Sequence, residues 1–193
     1  MMKFSNALLL SSIFIAGCAN VPELRQGLVA KTVSHASFTE VLFQPMHLSE
    51  TYGLSLDSDQ PVFEFAEGKS FYVGRAIPKA PSTRQLIFKT CLSSQYLPKA
   101  NVLVPYFLFL DDLRHPIGQA MTNPLTQVDD FWRGICYEGE IGIPSIASYF
   151  VLFTSNAEDP KVFSVAQTGR IRLVPHTPVG TVDVKVSASG SAR

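Results

Sequence analysis

Val62-Phe63-Glu64-Phe65, then Ala66-Glu67-Gly68, then Ser70-Phe71-Tyr72-Val73-Gly74-Arg75, sets the pattern for the whole chain. Phe63 and Phe65 are two residues apart, so in an extended backbone both rings fall on one face of a strand. Glu67-Gly68 supplies the turn chemistry for a second strand to fold back. Near the far end, Thr181-Val182-Asp183-Val184-Lys185-Val186 repeats the alternation with valines. Period two at both ends predicts half-buried antiparallel strands.

Between them, apolar runs are separated by Pro, Gly, Ser, Asp and Asn. Strands are expected at 61–65, 70–75, 84–92, 106–110, 134–141, 147–154, 170–174 and 181–187. No run of twelve or more residues carries the helical period that a parallel βαβ fold needs. About eight strands at this spacing predict an all-β fold, an antiparallel β-sandwich over residues 37–187. Ser37-Phe38-Thr39-Glu40 is a capping-box pattern and predicts one short helical turn before Pro45. Arg114 to Arg133 contains Pro116, Gly118, Pro124 and the pair Asp129-Asp130. It reads as one large excursion between strands, the kind of loop where function tends to sit. The small polar residues 188–193 are expected to be a disordered tail.

The N-terminus speaks of location. Residues 1–17 carry Lys3 and an apolar stretch from Ala7 to Ala16, too short for a permanent membrane span and right for a secretory signal. Ile15-Ala16-Gly17-Cys18 follows and resembles the lipobox of bacterial lipoproteins. That resemblance implies cleavage before Cys18 and diacylation of it, with two acyl chains giving a stable anchor in membrane lipid. By resemblance to enterobacterial sorting signals, Ala19-Asn20, with no Asp after the cysteine, favours the outer membrane, facing the periplasm. Residues 18–36 read as a lipidated tether, part of which could pack.

Composition agrees with a folded, exported domain. The 193 residues hold 16 Lys+Arg and 16 Asp+Glu, with 46% hydrophobic and 17% charged. Zero net charge argues against a nucleic-acid partner, and the apolar share argues against disorder. With Cys18 acylated, Cys91 and Cys136 remain, an even number in an oxidising compartment. A disulfide between them would close a loop of about 45 residues and contribute about 4 kcal/mol in the chain-entropy treatment. The alternative is two buried thiols that never meet.

No catalytic or cofactor signature emerges. The histidines His35, His47, His115 and His176 lack metal-site spacing, and no Gly-x-Ser-x-Gly elbow or phosphate loop is present. Asp111-Asp112 and Asp129-Asp130 suit polar turns better than glycosidase pairs. The sole tryptophan, Trp132, has two readings. It is either a core residue at the start of a strand, or an exposed sugar-stacking platform flanked by Asp129, Asp130 and Tyr137.

Several segments carry a family resemblance. They are residues 62–73, Arg75-Ala76-Ile77-Pro78, Leu86-Ile87-Phe88-Lys89, the run from Val104 to Asp111, Tyr149 to Thr154, and, upstream, Phe38 to Pro45. Together, over residues 37–175, the chain resembles the maltose operon periplasmic protein family of Gram-negative bacteria. That resemblance implies a periplasmic or lipid-anchored protein associated with maltose and maltodextrin uptake, without a catalytic constellation. The function expected here is a non-catalytic accessory protein of carbohydrate uptake that binds maltodextrin-type sugars or a transport component. The chain departs from the typical member in lacking a long Pro/Ala-rich C-terminal extension and in carrying a cysteine pair and an anchor. A structural lipoprotein subunit of an outer-membrane or secretion assembly is the alternative.

Overall fold

The computed structural model describes residues 21–80, 82–120, 125–155, 163–167 and 170–188. Among the described residues, one α-helix, α1 (Val21–Ala30), precedes fourteen strands. They are β1 (Gln44–Pro45), β2 (Thr51–Leu56), β3 (Val62–Phe65), β4 (Gly68–Phe71), β5 (Val73–Ala76), β6 (Arg84–Cys91) and β7 (Pro105–Leu110). The second half of the chain adds β8 (Pro116–Ala120), β9 (Thr126–Asp130), β10 (Gly134–Ile143), β11 (Tyr149–Thr154), β12 (Phe163–Gln167), β13 (Arg170–Val174) and β14 (Gly180–Ala188).

Ten of these strands form two five-stranded sheets, ordered β1-β5-β11-β7-β8 and β2-β14-β6-β10-β9. All neighbours are antiparallel except β1 and β5. The sheets pack face to face because alternate residues of each are large and apolar. Phe107, Phe109, Phe150 and Leu152 of the first meet Leu86, Phe88, Val182, Val184 and Val186 of the second in one buried cluster. The rings of Phe88 and Phe107 lie 5.1 Å apart across the interface. The chain is therefore the antiparallel β-sandwich that its period-two runs predict.

Strands β7 and β11 are buried on both faces, and their sequences show it. All six residues of β7 are buried, so its run is continuously apolar rather than alternating. Its outward-facing Tyr106, Leu108 and Leu110, with Val151 and Phe153 of β11, form a second cluster. That cluster is roofed by the β3–β4 hairpin and by the segment before β1. Phe65 stacks on Phe153 with centroids 3.9 Å apart, and Phe38 stacks on Phe63 at 4.5 Å. Gly74 allows the segment to lie close, since a Cβ there would sit 2.9 Å from the side chains of Phe43 and Val41.

Three expectations need amending. The segment read as a tether contains the ten-residue α1, with Pro22 in its first turn where a missing N–H costs nothing. α1 docks on the sandwich: Leu28 is fully buried, Arg25 Nη2 donates to the His176 carbonyl at 3.1 Å, and Lys69 Nζ caps the Val29 carbonyl at 2.8 Å. The Arg114–Arg133 excursion is not structureless, because β8 and β9 lie in it and pair with β7 and β10. β2 is a further strand, pairing with β14. The capping box at Ser37 forms a single 3-10 turn, with the Ser37 hydroxyl accepting the Thr39 N–H. The signal segment 1–17, Cys18 and residues 189–193 lie outside the described residues.

Candidate functional site

The turn joining β9 to β10 is built by Asp130. Its carboxylate accepts the backbone N–H groups of Trp132 and Arg133, each at 3.0 Å, and Lys89 Nζ at 3.1 Å. The Arg133 and Trp132 amides and the Lys89 ammonium together hold the Asp130 carboxyl down at a pKa of about 2. Gly134 closes the turn at a φ of +78°, a conformation that favours glycine. Arg133 reaches back over the sheet to Asp183 at 2.5 Å, an ion pair that raises the Arg133 pKa further. The flanks are thus tied to β6 and β14, and the two residues at the tip are left pointing outward.

Those residues are Phe131, 88% exposed, and Trp132, 83% exposed. Their rings meet edge to face at 4.9 Å. The two rings together form an exposed apolar patch at one tip. The core reading of Trp132 is set aside by this exposure.

Beside the tip runs an open groove of about 430 Å³, lined by Ser94, Gln95, Leu97, Asp129 and Phe131 among others. The loop that follows β6 forms its other wall. Gln95 leans on the turn so closely that a Cβ on Gly134 would lie 3.2 Å from its Cγ. This loop also exposes Tyr96, at 61%. A disulfide joins Cys91 to Cys136. These are the residues where the loop leaves β6 and where the tip enters β10, and Leu92 donates to the Ile135 carbonyl at 3.0 Å just beyond. The covalent link therefore fixes the two walls of the groove relative to each other.

The structure brings together only part of the expected constellation. Trp132 and Asp129 are exposed on the same hairpin. Asp130 is spent on the turn itself. Tyr137 is buried at 3% exposure, packed in a cluster with Leu92, Val102, Ile135 and Val174, where burial raises its pKa. It supports the platform from below and does not reach it. Tyr96, Ser94 and Gln95 were not anticipated, because a polar loop carries no periodic signal that points toward a neighbour forty residues on.

Chemically, the site offers flat apolar rings with a carboxylate, an amide and a hydroxyl nearby. That combination suits a ligand with an apolar face and a rim of hydroxyl groups. The other acidic pair is a turn: Asp111 accepts the His115 N–H at 2.8 Å. Among the described residues no group of three His, Cys, Asp or Glu side chains is placed to hold a metal ion. Comparison with protein-family models, with curated proteins and with solved structures gives no match.

Proposed function

We propose that this protein is a lipid-anchored, periplasm-facing, non-catalytic binding module that assists carbohydrate uptake by holding maltodextrin-type sugars on the Phe131–Trp132 tip. The observation that carries the reading is the exposure of both rings at one tip, with Phe131 lining the groove that also holds Ser94, Gln95 and Asp129. A glucose ring presents an apolar face for stacking and equatorial hydroxyls for that rim. The resemblance of residues 37–175 to the maltose operon periplasmic family and the lipobox-like Ile15–Cys18 support the compartment and the ligand class.

The mechanism is local capture. With acyl chains on Cys18 and α1 starting at Val21, the intervening chain spans at most about 10 Å, so the start of α1, which docks on the sandwich, is held near the bilayer surface. That raises the effective concentration of any ligand shared with a membrane transport component.

A calorimetric titration of residues 19–193 with maltose and longer maltodextrins tests it. Saturable heat that Trp132→Ala removes is expected. No heat at millimolar sugar with the fold intact would overturn the sugar assignment. It would favour the structural-subunit reading, for which the exposed tip at the end of the edge strand β9 would be the surface that meets a partner protein.

A further inference from the structure

A second groove, of about 610 Å³, lies between the edge strand β2 of one sheet and β5 of the other. It exists because β1 covers β5 through only two residue pairs, Gln44 with Arg75 and Pro45 with Ala76. Its volume falls in the range of small-molecule sites. Val73 gives it an apolar wall, and Leu42, 85% exposed, stands at its mouth.

Arg75 is the unusual group in it. The side chain is half-buried, yet no carboxylate pairs with it among the described residues. A guanidinium has five N–H donors. Here it donates to Gln44 Oε1 at 2.5 Å and lies 5.8 Å from the Tyr52 ring centroid. Its Nε is closed to solvent and has no hydrogen-bond partner. Glu40, which also lines the groove, is turned to the Ala36 N–H at 3.1 Å. Tyr52 itself is engaged, donating to Glu50 at 2.9 Å.

A partly desolvated cation without a counter-ion is costly to keep, and such orphaned groups call for an explanation. We propose that the β2–β5 groove binds a small monocarboxylate, its carboxylate on the Arg75 guanidinium and its apolar chain along Val73 and Leu42. The planar fork of a guanidinium matches a carboxylate in two parallel hydrogen bonds, here through the two Nη groups, since Nε is closed to solvent. The single guanidinium balances one negative charge, whereas a dianionic phosphate would keep one charge unpaired. The site is separate from the Trp132 tip and does not depend on the sugar reading.

Amide chemical-shift titration of residues 19–193 with hexanoate, hexanamide and hexyl phosphate tests the proposal. Hexanoate is expected to give saturable shifts at Gly53, Ser55 and Gly74. Hexanamide should bind at least tenfold more weakly, and Arg75→Met should abolish the effect. Because Arg75 is half-buried, Leu42→Asp provides a second arm. It adds a negative charge at an exposed mouth residue, leaves the fold intact, and is expected to weaken hexanoate at least fivefold. Equal binding of the amide and the acid, or hexanoate affinity unchanged in Leu42→Asp, would overturn the site. Tighter binding of hexyl phosphate would overturn the carboxylate assignment.

Discussion

The Asp130 carboxylate accepts the backbone N–H of Trp132 at 3.0 Å, in the turn that carries the only tryptophan of the chain out of the sandwich. The same carboxylate takes Arg133 N–H and Lys89, so a single side chain both shapes the hairpin tip and ties it to the neighbouring strand.

The pH dependence of that device is fixed in sign. The folded-state pKa of Asp130 is lowered to about 2, below the usual value of about 4 for Asp. Its contribution to stability is therefore complete above about pH 4 and is lost as pH falls through about 2. Asp130→Ala should melt below the wild type at pH 7, and the gap should close as melts are run from pH 5 down to pH 2. A gap that stays constant over that range would contradict the assignment.

The disulfide should be a large part of the domain's stability. Cys91 and Cys136 are 45 residues apart in sequence, which corresponds to about 4 kcal/mol of chain entropy. At about 2–4 °C per kcal/mol for a chain of this size, replacing both by Ala should lower Tm by about 8–16 °C. Non-reducing peptide mapping of the wild type should find the two joined. Free thiols at both positions would contradict the pairing.

How much of this was legible in the residues follows from where each strand sits. β7 and β11 announce themselves because burial on both faces leaves unbroken apolar runs, and β14 because its valines alternate cleanly. β8 and β9 do not, since they are edge strands: Pro116 and Gly118 interrupt one, and exposed Thr126, Gln127 and Asp129 make the other polar. Edge strands are selected for such residues to discourage pairing with other chains. α1 was hidden for a related reason, as a ten-residue helix that buries only Leu28 needs almost no apolar stripe. For Trp132 the sequence left two readings open. The Asp130-to-Gly134 spacing is compatible with a tight turn, but which way the intervening rings face depends on Lys89 and Asp183, on two other strands.

Docking of α1 is a specific energetic claim. Leu28 is fully buried against the main core, and Leu28→Ala should destabilise by about 2–5 kcal/mol in denaturant unfolding. A free tether in this segment would show no change.

The roof over β5 depends on a missing side chain. A Cβ at Gly74 would lie 2.9 Å from both Phe43 and Val41, so Gly74→Ala forces the covering segment to shift. The expected cost is about 1–3 kcal/mol, read as a lowered urea midpoint. A neutral effect would mean that the segment is not packed on β5.

The most direct test of the account uses Trp132 itself, since no other tryptophan contributes to the emission. The free protein should show the red-shifted, readily quenched fluorescence of an exposed indole. Adding maltoheptaose should shift the emission to the blue saturably and protect it from acrylamide. Emission unchanged up to millimolar maltoheptaose, in a protein that still melts cooperatively, would contradict the claim that sugar stacks on this tip.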